Sequence, residues 1–258
     1  MTAVLELKDL KRTYVGTIGM TKKKSIEALK GISFEVKDGE IFGLLGPNGA
    51  GKTTTIKILT TLLAPSSGEA KVLGYNCFGE EKHIRGSINF IFGGERGLYW
   101  RLSGVENLRY FGDLYKIPSN VLNKKIKELI KLVGLEGREN EKVEGYSKGM
   151  KQRLQIARGL INDPKILFLD EPTLGLDPVG AKDLRNIIMK LKAEGKTILL
   201  TTHYMYEADE LCDRIAIIND GHILALDTSK ELKKKYMDDE NASLEDVYIK
   251  LVGGCTNE

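Results

Sequence analysis

Gly46-Pro47-Asn48-Gly49-Ala50-Gly51-Lys52-Thr53 satisfies the pattern G-x-x-x-x-G-K-[ST] at every required position. Ahead of it, Glu40 to Leu45 is a short apolar run that reads as a strand. Behind it a helix is expected from Thr53 to about Leu63, stopped by the turn Pro65-Ser-Ser-Gly68. That setting separates a phosphate loop from a chance glycine turn. Glycines let backbone N–H groups converge on phosphate oxygens, because a Cβ would obstruct the turn, and the helix adds its positive dipole end. Lys52 is expected to reach the β- and γ-phosphates of a nucleotide as a point charge, and the Thr53 hydroxyl to ligate Mg²⁺.

Further along, Ile166-Leu-Phe-Leu-Asp-Glu171 carries two acids at the end of an apolar strand. Such a position lies at the carboxyl edge of a parallel sheet, where open α/β folds bind ligands. Asp170 is placed there to hold Mg²⁺, and Glu171 to face the water attacking the γ-phosphorus. The alternative reading of paired acids, a helix cap and a surface charge, fits four preceding apolar residues less well.

The rest of the chain reads as α/β alternation around these two segments. Val4 to Leu7 and Ile32 to Val36 are short strands, separated by a polar loop containing Lys22, Lys23 and Lys24. Ile88 to Phe92 and Thr197 to Thr201 are further apolar or β-branched strands, with Pro178 to Glu194 a crossover helix ended by Gly195. Between Ser103 and Asn162 the pattern turns helical. Val121, Leu122, Ile126, Leu129, Ile130 and Val133 fall on one face, and Gly134 offers a C-cap. Arg214 to Ile218 and Ile223 to Leu226 flank a hairpin turn, and two short helices with Ser229 and Ser243 as N-caps finish the chain.

Composition narrows the class. With 258 residues the chain is long enough for one large domain, and 39 basic against 36 acidic residues leave a net charge of +3. That is too mild to point to nucleic acid or a membrane surface. Cys77, Cys212 and Cys255 lack metal-like spacing and read as reduced thiols. No apolar run approaches the roughly 20 residues needed to span a bilayer, and the N-terminus lacks the apolar stretch of a signal peptide.

A phosphate loop and an acidic strand end fit many NTPases, so other segments must discriminate. Ser147-Lys148-Gly149-Met150-Lys-Gln-Arg153, about twenty residues before the acidic pair, resembles the signature segment of ABC ATPases, whose usual form is L-S-G-G-Q. Leu174-Gly-Leu-Asp177 resembles their D-loop, His203 stands where they carry a switch histidine, and Tyr14 matches the aromatic that stacks on adenine. These elements follow the family's order and spacing over essentially the whole chain.

The resemblance implies a P-loop NTPase fold: a mostly parallel sheet core, an N-terminal antiparallel β portion and a helical insertion. A single domain is expected over 1–258, with the insertion at about 95–160 and a short C-terminal extension at about 227–258. It also implies ATP and Mg²⁺ as ligands, with Tyr14, the loop from Gly46 to Thr53 and Thr54 binding the nucleotide. Glu171 and His203 act in hydrolysis; Thr53 and Asp170 hold the metal. In a head-to-tail dimer with a second copy, the segment from Ser147 to Met150 contacts the nucleotide on the opposing protomer. A helix beginning near Gly149 would present N–H groups and its dipole there. A separate membrane permease completes the machine and keeps this chain at the inner face of the membrane.

Two departures stand out. Lys148 and Met150 replace a glycine and a glutamine of the signature. The family's Q-loop glutamine is expected near Gly94 in Phe92-Gly-Gly-Glu-Arg-Gly-Leu-Tyr99, where no glutamine occurs, and Glu95 is the side chain placed to substitute for it. Gly43-Leu-Leu-Gly-Pro-Asn-Gly and the segment from Asp177 to Asp227 look most like exporter ATPases. Two other functions compete. A nucleic-acid-associated ABC ATPase would usually carry two cassettes or a long coiled-coil insertion. A clamp that binds ATP and scarcely hydrolyses it would need neither Glu171 nor His203.

Overall fold

The computed structural model describes residues 2–18, 22–93 and 97–254. Its backbone divides into two units, one formed by residues 1–85 with 197–258 and the other by residues 86–196. The first unit opens with β1 (Ala3–Ile18), β2 (Lys22–Lys37), β3 (Ile41–Leu45), α1 (Lys52–Leu59), β4 (Ser67–Val72), β5 (Tyr75–Asn76) and α2 (Glu81–Ile84). The second holds β6 (Ile88–Phe92), α3 (Gly104–Leu114), α4 (Ser119–Leu132), α5 (Lys148–Gly159), β7 (Ile166–Asp170) and α6 (Pro178–Ala193). The chain then returns to the first unit with β8 (Thr197–Thr202), α7 (Met205–Leu211), β9 (Arg214–Asn219), β10 (His222–Asp227), α8 (Ser229–Met237) and α9 (Leu244–Gly254).

In the first unit β3 is buried along its whole length and pairs in parallel with β8 on one side and β9 on the other. That explains its uninterrupted apolar sequence, because both faces of a central parallel strand are covered. Its entry is held by charge. Glu40, 7 % exposed, accepts from the Lys37 amide at 2.7 Å and pairs with Arg214, the first residue of β9, at 3.3 Å. The Arg214 guanidinium also lies over the Phe42 ring, which stacks on Phe34 of β2. The antiparallel hairpin of β9 and β10 pairs Asn219 with His222. The C-terminal helices are docked through Leu232, Leu244 and Val247, which join Leu45, Ile215 and Ile217 in one apolar cluster.

The hairpin of β1 and β2 is much longer than the sequence suggests, at 16 residues per strand. Lys22, Lys23 and Lys24, expected in a loop, begin β2 instead. Pairing with β4 covers β1 only from Leu5 to Lys11, so the outer half is a two-stranded ribbon. With few of its described residues buried, such a ribbon has no strong reason to alternate apolar and polar residues, which hid it from the sequence.

In the second unit β6 and β7 pair in parallel from Ile88 opposite Ile166 to Phe92 opposite Asp170. On α4, Leu122, Ile126, Leu129 and Ile130 face inward, as expected, while Val121 is 51 % exposed and does not belong to that face. Gly134 follows α4 with φ +62°. Two other ends differ from expectation. Helix α1 stops at Leu59, several residues early, because Thr61 enters the left-handed region at φ +62°. The N-cap of α8 is Thr228, whose hydroxyl accepts from the Glu231 amide; Ser229 is inside the helix and donates to Asp209. Ser243 does cap α9, accepting from the Asp246 amide at 3.1 Å.

Removing one partner of a buried ion pair strands the other. Glu40→Ala is therefore expected to lower stability by about 3 kcal/mol, seen as a drop in the urea midpoint of unfolding. An unchanged midpoint would show that the pair does not anchor β3.

Candidate functional site

The phosphate loop joins β3 to α1, and its shape is enforced by neighbouring backbone. A Cβ on Gly46 would run into the Ile218 carbonyl at the end of β9. A Cβ on Gly51, which has φ +111°, would lie 2.7 Å from the Ala28 carbonyl of β2. The Ala50 carbonyl accepts from the Gly221 amide at 3.1 Å, in the turn between β9 and β10. Gly49 has φ +86° and open space around it. The loop is therefore wedged between β2 and the β9–β10 turn; Gly46 and Gly51 are sterically required, and Gly49 is favoured by its backbone conformation.

Helix α1 begins at Lys52 with Gly51 as N-cap, no side-chain cap and no acid in its first turn. Most helix starts satisfy their first amides with a Ser, Thr, Asp or Asn. An end left without one, carrying the positive dipole, is suited to an anion. Lys52 is 4 % exposed, and its ammonium donates to the carbonyls of Gly46 at 2.7 Å and Pro47 at 3.1 Å. The cation thus sits within the loop. Thr53 is half-buried in the first turn. Thr54, beside it, shares a hydrogen bond of 3.3 Å with the Tyr14 hydroxyl. The structure therefore brings Tyr14 of β1 against the same helix start.

His203 follows β8 directly. In the parallel register Leu45 of β3 lies opposite Thr202, and the Gly46 amide donates to the Thr202 carbonyl at 3.3 Å. The first glycine of the loop and His203 are thus the next residues of two adjacent strands. His203 is half-buried, with its ring 4.1 Å from that of Tyr204. The other histidines are exposed; His83 stacks on Tyr75. Cys77 is buried, its thiol pushed up to about 12 chiefly by that burial, and Cys255 lies outside the described residues.

The acids belong to the second unit. Asp170 is the buried last residue of β7, and Glu171 after it has φ +49°. A non-glycine residue in that region is uncommon and concentrates at sites where a side chain must be aimed. Gly93, the residue after β6, is packed against them: a Cβ there would be 2.9 Å from the Asp170 carbonyl. Gly94 and Glu95, the expected Q-loop positions, lie outside the described residues.

The segment from Ser147 to Met150 opens α5, one residue earlier than expected. Ser147 is the N-cap, its hydroxyl accepting from the Met150 amide at 3.2 Å, and Lys148 is the first helical residue. That acceptor role leaves the hydroxyl proton to be donated. Lys148 does not crowd the tip: its ammonium lies over Gly175, 2.6 Å from where a Cβ would stand. Gly149 lies beside Gly180: a Cβ there would be 3.9 Å from the Gly180 Cα, at ordinary contact distance. Asp177 is the N-cap of α6 and accepts from the Gly180 amide at 2.9 Å. The signature and D-loop segments therefore meet in one packed corner. The sequence contains Lys148 and Gly175 but offers no sign that they touch.

A family profile described as ABC transporter matches residues 29–174. The ABC transporter ATP-binding protein NatA of Bacillus subtilis is 42 % identical over 203 residues, covering 79 % of this chain and 82 % of NatA. A fluoroquinolones export ATP-binding protein of Mycobacterium tuberculosis is 48 % identical over 214 residues, covering 82 % of this chain and 68 % of its own. A similar solved structure is the dimeric post-hydrolysis state of the ATP-binding cassette MJ0796 bound to ADP and Pi. It has a TM-score of 0.76 and 29 % identity, covering 87 % of this chain and 98 % of that one.

Because the carbonyl of Ile218 leaves no room for a side chain, Gly46→Ala is expected to push the loop out of shape. Binding of a fluorescent ATP analogue should weaken by at least about tenfold, equivalent to 1.4 kcal/mol, with the circular dichroism spectrum retained. Unaltered nucleotide binding would mean that the loop tolerates the displacement.

Proposed function

This chain is an ATP-hydrolysing member of the ABC transporter family, and from that premise we propose that two copies close head to tail on MgATP to drive a separate membrane permease. The observation that carries this reading is the backbone cradle from Gly46 to Gly51, closed to side chains and continued by an uncapped helix start with Lys52. Nothing in such a cradle is selective for a side chain or an apolar ligand; it fits a row of phosphate oxygens.

Within each protomer the loop amides and Lys52 bind the phosphates, and Tyr14 receives the base. The Thr53 hydroxyl and the Asp170 carboxylate are hard oxygen donors suited to Mg²⁺, which supplies neutralisation of phosphate charge when bound. Glu171 accepts the proton of the attacking water, and His203 holds that water and the γ-phosphate by hydrogen bonding. The opposing protomer contributes Ser147, Lys148, Gly149 and Met150 at the tip of α5, an end that also lacks acids in its first turn. Asp177 and its loop accompany that tip across the dimer. Glu95 stands in for the Q-loop glutamine.

No helix among the described residues is long and apolar enough to cross a membrane, and in this reading the pore is assigned to the separate permease. Export is the direction we propose, since one relative is named for the export of fluoroquinolones. Attachment to the permease would keep the chain at the inner membrane face.

Two variants separate the roles. Lys52→Ala removes the cation nearest the phosphates and should lower kcat/KM for MgATP by about 100-fold or more. Glu171→Gln keeps the shape and loses the proton acceptor. Its turnover should fall by roughly 10²–10⁴, and light scattering should show a stable ATP-dependent dimer. A Glu171→Gln protein that turns over at the parental rate, or stays monomeric with saturating ATP, would overturn the reading.

A further inference from the structure

We propose that Arg12 is a positioning residue for the nucleobase, holding the Tyr14 ring as a rigid platform with one face left open. The inference rests on the preceding reading, in which Tyr14 receives the base. The Arg12 guanidinium lies over one face of the Tyr14 ring, 4.9 Å from its centroid. It is anchored in turn by donating to the Ala64 carbonyl at 2.9 Å. The tip of the ring is held separately, through the 3.3 Å contact between the Tyr14 and Thr54 hydroxyls. One face and one end of the ring are thus fixed, and the residue remains 36 % exposed.

The backbone explains why this ring needs holding. Residues two apart on a strand share a face, which puts Arg12 and Tyr14 together. The β1–β4 pairing ends at Lys11 opposite Ser67, so Tyr14 stands on the two-stranded part of the hairpin. A ribbon of that kind is marginal by itself. The register between β1 and β2 shifts here, from Arg12 opposite Leu29 to Thr13 opposite Glu27, leaving Ala28 as an extra residue. The carbonyl of that residue is the one that closes on Gly51 of the phosphate loop. The irregularity therefore sits where the ribbon touches the loop. Arg12 then ties the aromatic to Ala64 in the stretch after α1, and Thr54 ties it to the first turn of that helix.

Two physical effects follow. A ring already held in place loses less conformational freedom when a base stacks on it, which raises affinity without any new contact to the ligand. A cation on the far face also draws on the ring's negative quadrupole, which eases the face-on approach of a second π-system. Because Thr54 neighbours Thr53, the grip on the base and the grip on the phosphates share the first turn of one helix.

Arg12→Ala is expected to raise the KM for ATP about fivefold, a change on the scale of one exposed cation–π contact, and to leave kcat at saturating ATP within about twofold. Inhibition by inorganic tripolyphosphate, which has no base, should be unaffected. Arg12→Gln retains a donor toward the Ala64 carbonyl without the charge, and should show most of the same rise. Arg12→Lys should recover most of the lost affinity. Tyr14→Ala is the companion measurement. If it weakens ATP and Arg12→Ala does not, the positioning role is wrong while the base-stacking reading survives. If Tyr14→Ala leaves ATP affinity intact, the base-stacking reading fails and takes this inference with it. Equal loss of ATP and tripolyphosphate affinity in Arg12→Gln would assign Arg12 to the phosphate loop and overturn the proposal.

Discussion

Close approach of one backbone to another at the phosphate loop is the constraint on which the first unit depends. The carbonyls of Ile218 and Ala28 stand where side chains of residues 46 and 51 would be, and the Gly221 amide fixes Ala50. Such contacts need three separate segments delivered to one place: the end of β3, the irregular part of β2 and the β9–β10 turn. The parallel pairing of β3 with both β8 and β9 supplies that delivery, and the Glu40–Arg214 pair ties the start of β3 to the start of β9. The chemistry of the loop is then a consequence of what has been excluded. With no Cβ in the way and no side chain capping α1, the remaining groups are amides, a dipole and the Lys52 ammonium, all of one sign.

The second unit solves a different problem, that of presenting polar groups at strand and helix ends without burying them unsatisfied. Glu171 occupies a left-handed backbone conformation directly after a fully buried strand, so the extended backbone of β7 ends abruptly at this acid. Ser147 and Asp177 each cap the helix they precede, and Gly149 of the first helix packs beside Gly180 of the second. Lys148 shows how the departure from the usual glycine is accommodated. Its side chain runs over Gly175, which with φ +71° and no Cβ leaves space for it. The ammonium of this first residue of α5 therefore lies against the D-loop.

Legibility in the sequence tracked how local each signal was. Strands β3, β7 and β8 were readable as apolar or β-branched runs because burial on both faces demands such runs; β6, only partly buried, was still marked by its short apolar run, and the ends of all four were right to within a residue. The inward face of α4 was readable from its 3.6-residue period, except for Val121, which adjoins that face by angle and yet faces solvent. The long β1–β2 ribbon was not readable, because its order comes from pairing, a register shift and anchoring contacts to Ala64 and Thr54, with little burial to pattern it. The start of α8 was misplaced by one residue because Thr228 and Ser229 are both good caps, and the choice falls to Asp209, which takes the Ser229 hydroxyl.

By itself, the amino-acid sequence determined the kinds of chemistry present and their order: a glycine loop ending in Lys52 and Thr53, an acidic strand end, a signature-like serine and a histidine after a strand. Those are properties of residue types at short separations, where spacing along the chain is spacing in space. Tertiary structure alone decided which of them meet. It set Gly46 beside Thr202 and His203 through strand register, turned Lys148 onto Gly175, and backed Tyr14 with Arg12 while tying it to Thr54. Contacts of that kind depend on register shifts of one residue and approaches of a few ångströms between distant segments, and no local pattern of side chains encodes them.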